Sequence, residues 1–248
     1  MLTIPGSKIL GTKISGLTDQ DKACIQSSAE RGWVLEPEAK QILANQGFDL
    51  PDSIVTKDPE KAAQFLAAAT GPVVIKAISP KILHKTEYKA VVIGITEKED
   101  LFREMDRLLA LDGCKTVLVE AMVPEGIELF VGAKNDVQFG PVVILGLGGT
   151  AVELYNDTAI RMAPIQAEDV VSMVDSLKSG QVLKGFRGDA GVNMTALTDL
   201  MVRFSHLSMA LEETFVSMDL NPVICTQDNC MVVDARIMLK TNDAELRK

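Results

Sequence analysis

The sequence GPVVIKAISPKILHKTEYKAVVIGI, from Gly71 to Ile95, contains two short apolar runs separated by a polar loop. The first run, Val73 to Ile78, lies between Gly-Pro and Ser-Pro turn signals, which predicts a buried strand. Lys76 lies inside it, and a buried ammonium is costly unless it reaches an edge or faces an anion. His84 and Lys85 follow on the loop. We expect this strand-loop-strand unit to cover bound phosphates.

The composition indicates a globular protein without a nucleic-acid partner. Of its 248 residues 47% are hydrophobic, enough for one large domain or two smaller ones. Acidic residues outnumber Lys and Arg by 34 to 25, and only 4% of the residues are aromatic. This balance argues against nucleic acid and against an anionic membrane surface. Anionic ligands must therefore be held by local groups.

Cysteine usage and hydropathy indicate the compartment. The cysteines Cys24, Cys114, Cys225 and Cys230 form no CxxC pair. This pattern predicts free thiols in a reducing compartment rather than a structural metal site. No stretch has the apolar core of a secretory leader or about 18 uninterrupted apolar residues. We therefore expect a cytoplasmic protein with no membrane partner.

The pattern of elements predicts two lobes. We expect an extended arm over 1–18, a first lobe with a βαββα pattern over 19–115, a second lobe over 116–240 and a tail over 241–248. The expected helices are 18–32, 36–47, 58–69, one following the capping box at 96–99, 167–177 and 195–213. The expected strands are 53–56, 73–78, 90–95, 116–120, 128–134 and 140–145, with irregular segments at 146–164 and 178–193.

The last two apolar runs, Phe215 to Cys225 and Cys230 to Lys240, predict a hairpin closed at Thr226 to Asn229. This turn places Asn221 opposite Asp234, with Cβ atoms about 4.5–5.5 Å apart. Amide and carboxylate oxygens without nearby Cys or His suit Mg²⁺; the alternative is a solvated polar face with an Asp/Arg pair. Alternation predicts a core face of Leu220, Pro222, Ile224, Val233, Ala235 and Ile237, and a polar face of Asp219, Asn221, Asp234 and Arg236.

Several motifs, in this order, resemble the ATP-grasp fold. They are VVIK with Lys76, the segment LVEAMVPEGIELFVG, and MDLNP followed by VVDAR. The chain is similar to the β subunit of ADP-forming acetyl-CoA synthetase, a relative of the succinyl-CoA synthetase β subunit, and SPKILHKT, QFGPVVILGLGG and VVDARI fit the former well. The likeness runs from about Lys22 to Lys240. It implies an α/β (α+β) ATP-grasp fold, two lobes with a nucleotide cleft between them.

The resemblance implies ATP or ADP and Mg²⁺ as cofactors, each with a set of side chains. Lys76 would hold the α and β phosphates, and the Glu128 carboxylate would accept hydrogen bonds from the ribose hydroxyls. Asn221 and Asp234 would bind the Mg²⁺ that bridges the phosphates. The alternative for Lys76 is a snorkelling lysine, and the alternative for Glu120 and Glu128 is a solvated strand end. Backbone groups of Glu120, Ala121, Met122 and Val123 would form the hinge that pairs with the adenine edge.

His84 would be the centre of the mechanism. In the family, the histidine of the HK dipeptide takes a phosphoryl group from a phosphohistidine on the partner subunit and passes it to ADP. Imidazole suits this step, because an unperturbed pKa of about 6.5 leaves a neutral nitrogen at pH 7. A lone loop histidine is otherwise a surface residue. Asp219 would orient the phosphohistidine and Arg161 would meet a phosphate, whereas His206 is expected to be structural.

One motif departs from the family. After the histidine the family has paired glycines, whereas this chain has Thr86-Glu87-Tyr88-Lys89-Ala90. Glycine permits close backbone approach and positive φ, so the backbone grip on the β and γ phosphates is altered, with Lys89 as a compensating charge.

The resemblance implies the nucleotide-binding, phosphotransferring subunit of an acyl-CoA synthetase. The reaction is acyl-CoA + ADP + Pi = acid + CoA + ATP, with a CoA-binding α subunit as partner in an α2β2 complex. One alternative is a non-catalytic ATP-grasp subunit with a regulatory or assembly role. Another is a dinucleotide-binding oxidoreductase, because Gly146 to Ala151, GLGGTA, matches a phosphate-binding fingerprint. The segment after this motif offers no amphipathic helix, which disfavours the last interpretation.

Overall fold

The computed structural model describes residues 16–149, 157–188 and 190–241. Most of the expected arm, nearly all of the tail and the end of the GLGGTA segment lie outside these ranges. The helices are α1 Asp19–Ser28, α2 Glu36–Asn45, α3 Pro59–Ala68, α4 Lys98–Leu109, α5 Ala167–Ser176, α6 Gly180–Lys184 and α7 Met194–Ala210. The strands are β1 Trp33–Val34, β2 Ser53–Thr56, β3 Val73–Ile78, β4 Val91–Ile95, β5 Thr116–Ala121, β6 Ile127–Asp136, β7 Gly140–Leu147, β8 Thr158–Met162, β9 Phe215–Cys225, β10 Cys230–Val232 and β11 Ala235–Leu239.

The described strands form two antiparallel sheets. The larger sheet has seven strands in the order β1-β11-β9-β6-β7-β8, with β10 paired to β9. The smaller sheet has four strands in the order β2-β5-β3-β4. Since β7 and β8 are antiparallel neighbours, the glycine segment between them does not join parallel strands as a dinucleotide-binding unit requires. That interpretation is therefore wrong.

Local capping explains where three of the helices begin. Thr18 and Asp21 form a reciprocal capping box at α1. At α2, Pro37 occupies the first turn and the Glu38 carboxylate accepts the Leu35 N–H at 3.2 Å. The Asn193 side chain accepts two backbone N–H groups at the start of α7.

Two separate cores define a small and a large lobe. The small lobe packs α3 and α4 on the four-stranded sheet, with Leu101, Met105 and Leu108 of α4 fully buried. The large lobe packs α5 and α7 on the seven-stranded sheet, around Phe204 and Phe215. The side chains of α1, β1 and α2 belong to this larger core, and β5 belongs to the small sheet. The grouping therefore differs from the expected division at 115/116: the small lobe is 53–121.

The expected register of the hairpin is confirmed. Cys230 pairs with Cys225, Arg236 with Asp219, and the Asn221 N–H donates to the Asp234 carbonyl at 3.1 Å. The expected core face is correct only for Leu220, Ala235 and Ile237, which are buried. Between Asn221 and Asp234, towards the turn, the buried side chains are Val223, Cys225, Cys230 and Val232, whereas Pro222, Ile224 and Val233 are half-buried.

A bulge in β9 explains this change of face. Along β6, Leu129 pairs with Val223 and Val131 with Leu220, so β9 contains one more residue than β6 between these pairs. An extra residue reverses the alternation of every side chain beyond it. Asn221 and Pro222 therefore lie at the point where β9 exchanges its core face for its outer face.

Three further features differ from the expectations or extend them. Strand β8 and helix α6 form within segments expected to be irregular. Cys225 and Cys230, expected to be free thiols, form a disulfide between β9 and β10, because the confirmed register places them directly opposite each other. Cys24 and Cys114 are free.

Within the described ranges, none of the helices has the length and apolar character needed to cross a bilayer.

Candidate active site

A cavity of about 310 Å³ lies between the two lobes. The small lobe contributes the loop after β3, with His84 and Lys85, and the large lobe contributes the outer face of the hairpin. The lining side chains are Trp33, Val34, Glu36, Leu83, His84, Lys85, Thr86, Glu87, Val91, Phe130, Asp219, Asn221, Asp234, Ala235 and Arg236. The fold thus brings His84, Asp219, Asn221 and Asp234, four of the residues selected from the sequence, to one site.

Beneath this cavity lies a cluster of six charged side chains, here called the charge cluster: Lys40, Lys76, Lys85, Glu36, Glu120 and Asp234. Lys76, Lys85 and Glu120 come from the small lobe, and Glu36, Lys40 and Asp234 from the large lobe. The cluster therefore joins the lobes at the floor of the cavity.

Lys76 is buried at the centre of the charge cluster. Its ammonium lies 2.6 Å from Glu36 Oε1, 2.6 Å from Glu120 Oε2 and 2.8 Å from the Val233 carbonyl oxygen. Burial acts to lower the pKa of Lys76, but the carboxylates of Glu36, Asp234 and Glu120 raise it well above its usual value. The side chain is therefore cationic, and the snorkelling alternative is wrong because the ammonium remains inside.

Glu36 connects all three lysines. Its Oε1 accepts from Lys76 and lies 3.0 Å from Lys40 Nζ, while its Oε2 accepts from Lys85. Burial acts to raise the pKa of Glu36, but Lys76, Lys85 and Lys40 hold it well below its usual range. Glu36 is therefore an anion at the first position of α2, where the helix dipole also favours a negative charge.

Lys85 covers the Asp234 carboxylate. Its ammonium lies 3.1 Å from both Asp234 oxygens, and it also donates to Glu36. Burial, and then the neighbouring Glu36, raise the pKa of Asp234. For Lys85, burial acts to lower the pKa, but the carboxylates of Glu36 and Asp234 raise it above its usual value. Lys85, the residue after His84, thus connects the His84 loop to Asp234, two features predicted separately from the sequence.

The outer face of the hairpin carries both the Asp/Arg pair and the two residues proposed as metal ligands, which the sequence offered as alternatives. Asp219 accepts from Arg236 at 2.9 Å, which is the expected Asp/Arg pair. Asn221 is exposed and lies beside Asp234 on the same cavity wall. In the part of the chain that the structure describes, no cluster of three or more His, Cys, Asp or Glu side chains is arranged to hold a metal. A cation at Asn221 and Asp234 would thus take its other ligands from phosphates and water, as Mg²⁺ commonly does.

The residues selected for adenine and ribose lie outside this cavity. At 120–123, the Ala121 N–H donates to the Asp52 carbonyl at 2.9 Å and the Met122 N–H to the Pro72 carbonyl at 3.0 Å. These two N–H groups serve the fold, so pairing with adenine stays a prediction for the carbonyl groups and Val123. Glu128 is exposed at the start of β6.

The proposed phosphate ligand Arg161 and the second histidine, His206, do not line the cavity. Arg161 lies on edge strand β8 and donates to the Ile160 carbonyl and to Ser172 Oγ. Its expected contact with a phosphate therefore finds no support in this arrangement. His206 lies half-buried within α7, away from the cavity, as expected of a structural histidine.

Gly148 packs directly on the backbone of Glu128. The Gly148 N–H donates to the Glu128 carbonyl at 2.6 Å. A Cβ at Gly148 would lie 2.8 Å from the Glu128 carbonyl carbon, closer than real Cβ contacts. This close approach explains a glycine at this position of the GLGG motif without any bound dinucleotide.

The Gly148→Ala variant should be less stable than the wild type by about 1–3 kcal/mol, because the strand segments must separate to admit the methyl group. Urea unfolding monitored by circular dichroism measures the difference. Gly71→Ala is the matched control, since a Cβ there meets nothing within 4 Å. Equal unfolding midpoints for the two variants would contradict the packing described.

The loop after His84 keeps one feature of the missing glycine pair. Lys89 has φ of 48°, in the left-handed region that favours glycine. The Lys89 N–H donates to the Thr86 carbonyl, and the Arg107 side chain donates to the Lys89 carbonyl. The Lys89 side chain does not line the cavity, so the expected compensation by its charge finds no support.

Glu36, Lys40 and Lys85 were not predicted from the sequence as site residues. A signal was present for the first two, because helical spacing places Glu36 and Lys40 on the same face as the buried Ala39 and Leu43. Charged residues on the apolar face of a helix require buried partners. The nature of those partners was not evident, since Glu120 and Lys76 are far away in the chain.

Comparison with known proteins agrees with this geometry. A family model described as ATP-grasp domain matches residues 26–239. Subunit β of acetate–CoA ligase (ADP-forming) I from Pyrococcus furiosus is 36% identical over 222 residues, which is 86% of this chain and 95% of that protein. The chain therefore belongs to the ATP-grasp family, in the group of ADP-forming acetyl-CoA synthetase β subunits.

Two solved structures of acetyl-coenzyme A synthetase 1 from Ca. Korarchaeum cryptofilum show the same fold. One, with coenzyme A and Ca-AMPCP, has 33% identity and a TM-score of 0.82, covering 90% of this chain and 100% of the other. The second, with coenzyme A and Mg-AMPPCP, has 33% identity and a TM-score of 0.77, covering 89% and 100%; its phosphohistidine segment points towards the nucleotide-binding site. The expected fold, two lobes with a cleft between them, is confirmed.

Proposed function

We propose that this protein is the nucleotide-binding, phosphotransferring subunit of an ADP-forming acyl-CoA synthetase. The observation that supports this most directly is the shared cavity: His84 from the small lobe lines the same space as Asp219, Asn221 and Asp234 from the large lobe. A nucleophile and a cation site at one cleft fit the transfer of a phosphoryl group.

The residues present fit Mg²⁺ with a nucleoside diphosphate or triphosphate. Asn221 and Asp234 supply two oxygen ligands, and the cavity between the lobes leaves room for phosphates beside them. Lys85 lines the cavity and Lys76 lies buried beneath it, each paired with carboxylates of the charge cluster. When bound, Mg²⁺ neutralises charge on the transferring phosphoryl group. Glu128 and the backbone at 120–123 are proposed for the ribose and the adenine.

His84 is proposed as the carrier of the phosphoryl group. Its side chain is exposed on the loop beside Lys85, accessible both to the cavity and to a surface outside it. An imidazole nitrogen of His84 attacks the phosphorus of a phosphohistidine brought by the partner, whose imidazole leaves. The phosphoryl group then passes from His84 to the terminal oxygen of ADP. Asp219, fixed by Arg236, is proposed to orient the phosphohistidine.

A partner subunit completes the enzyme. Similarity to β subunits implies such a partner, and we propose a CoA-binding α subunit in an α2β2 complex. The acetate–CoA ligase β subunit among the relatives makes acetate one candidate for the acid. The cytoplasmic location stays a prediction.

Isolated protein is expected to bind ADP and ATP in the presence of Mg²⁺ but to form no acyl-CoA. The reason is that each selected site residue serves nucleotide, metal or phosphoryl transfer. Calorimetry measures binding, and thioester formation measures activity with and without the purified α subunit. Full acyl-CoA synthesis by the isolated chain would contradict the proposal. Phosphohistidine analysis of the reconstituted enzyme separates the proposal from a non-catalytic subunit, which would carry no acid-labile phosphate on this chain.

A further inference from the structure

The two lysines at the cavity floor have their ammonium groups fully engaged by the protein itself. An ammonium has three donors. Lys76 contacts three oxygens, from Glu36, Glu120 and the Val233 carbonyl. Lys85 contacts Glu36 and both oxygens of Asp234. Each ammonium is thus surrounded by three protein oxygens, so a phosphate oxygen reaches it by replacing one of them.

The charges of the cluster also balance without any ligand. Three lysines face three carboxylates, all within one connected set of ion pairs. Phosphates that bind to Lys76 or Lys85 would therefore have to replace one of these carboxylates. A set with no net charge offers an anion little attraction from a distance, so binding requires direct contact with an ammonium group.

Glu36 is the carboxylate whose position a phosphate can take. Glu120 lies under the lysines and does not line the cavity, whereas Glu36 lines the cavity and contacts both Lys76 and Lys85. Asp234 also lines the cavity, but it is proposed for the metal. The Glu36 carboxylate therefore occupies the position from which a phosphate oxygen would reach both ammonium groups.

We propose that Lys85 is a further phosphate-binding residue, and that Glu36 is an internal counter-ion of Lys76 and Lys85 that the phosphates of the nucleotide displace. This inference rests on the proposed function of the cavity as a nucleotide site. Glu36 keeps the lysines in position while the site is free of phosphate. Its displacement releases Lys85 from Glu36, so that phosphate binding acts directly on the loop that carries His84.

Binding of inorganic pyrophosphate and of Mg²⁺–ADP to the full-length protein tests the inference. Pyrophosphate reports on the phosphate positions without adenine or ribose contacts. Calorimetry gives the affinity, and Trp33, which lines the cavity and is the single tryptophan of the chain, gives a fluorescence readout. Neither measurement depends on catalysis.

Glu36→Gln should raise the affinity for pyrophosphate by about tenfold or more, because no carboxylate then competes with it. A carboxylate with a merely structural role would give the opposite result, a weaker site. Glu87→Gln is the matched control: it removes the same charge from the lining of the same cavity, and Glu87 forms no ion pair with a described residue. It should change the affinity by about twofold or less. Folded Glu36→Gln protein with unchanged or weaker binding overturns the proposal.

Lys85→Gln provides an independent test if the Glu36 variant does not fold, since Lys85 lies on a loop. It should weaken pyrophosphate binding by about tenfold or more. In the double variant, the gain from Glu36→Gln should shrink, because both changes act on one ion pair. Unchanged affinity in folded Lys85→Gln protein overturns the role of Lys85. Wild-type protein that binds neither pyrophosphate nor Mg²⁺–ADP would contradict the proposed function, and with it this inference.

Discussion

Replacing His84 by alanine is expected to reduce acyl-CoA synthesis by the reconstituted enzyme about a thousandfold or more, because the phosphoryl group loses its carrier on this chain. Among the described residues, no other imidazole lines the cavity. Nucleotide binding should persist, since the residues proposed for adenine, ribose and metal lie elsewhere. Turnover is measured by thioester formation, and binding by calorimetry on the same preparation.

His206→Ala is the control for this experiment. His206 is the other histidine of the chain and lies within α7, away from the cavity. Its replacement should leave turnover close to that of the wild type. If the His84→Ala enzyme retains wild-type turnover, the relay through this histidine is wrong, whatever the nucleotide affinity.

The second large effect is expected for Asp234→Asn, which should weaken Mg²⁺-dependent nucleotide binding by about tenfold or more, about 1.4 kcal/mol per factor of ten. Asp234 supplies the single full charge among the two proposed metal ligands. Calorimetry with ADP at several Mg²⁺ concentrations measures the change. The Asn221 amide alone cannot restore the lost charge, because it is neutral.

Asp228→Asn is the matched control, because Asp228 lies in the turn of the same hairpin and is exposed. The substitution is chemically identical, but Asp228 does not line the cavity. Equal Mg²⁺ dependence in wild type, Asp228→Asn and Asp234→Asn would exclude this metal site.

The hairpin shows how far the sequence alone predicts the site. Two apolar runs and a polar turn were sufficient for the register that places Asn221 beside Asp234, because turn position and pairing are local properties. The core face beyond Asn221 was not predictable in the same way. It depends on the bulge of β9 against β6, and β6 lies far away in the sequence.

The charge cluster shows the other limit. Lys76 was evident as a buried lysine, but its counter-ion Glu36 lies on a helix of the other lobe. The apparent continuity of residues 19–115 obscured this, because α1 and α2 precede the small lobe in the chain yet pack in the large lobe. Pairings between elements distant in sequence are fixed by tertiary packing, and a single sequence carries little signal for them.

The small lobe is inserted into the large one, and both of its ends lie on adjacent strands. It begins at β2 and ends at β5, where Ser53 pairs with Glu120. Two connections that run side by side act as a single pivot, so the lobe can rotate about one axis more easily than it can slide. Lys76 and Lys85 would travel together in such a rotation, and His84 with them. Capture of phosphates and delivery of the histidine would then be one movement rather than two.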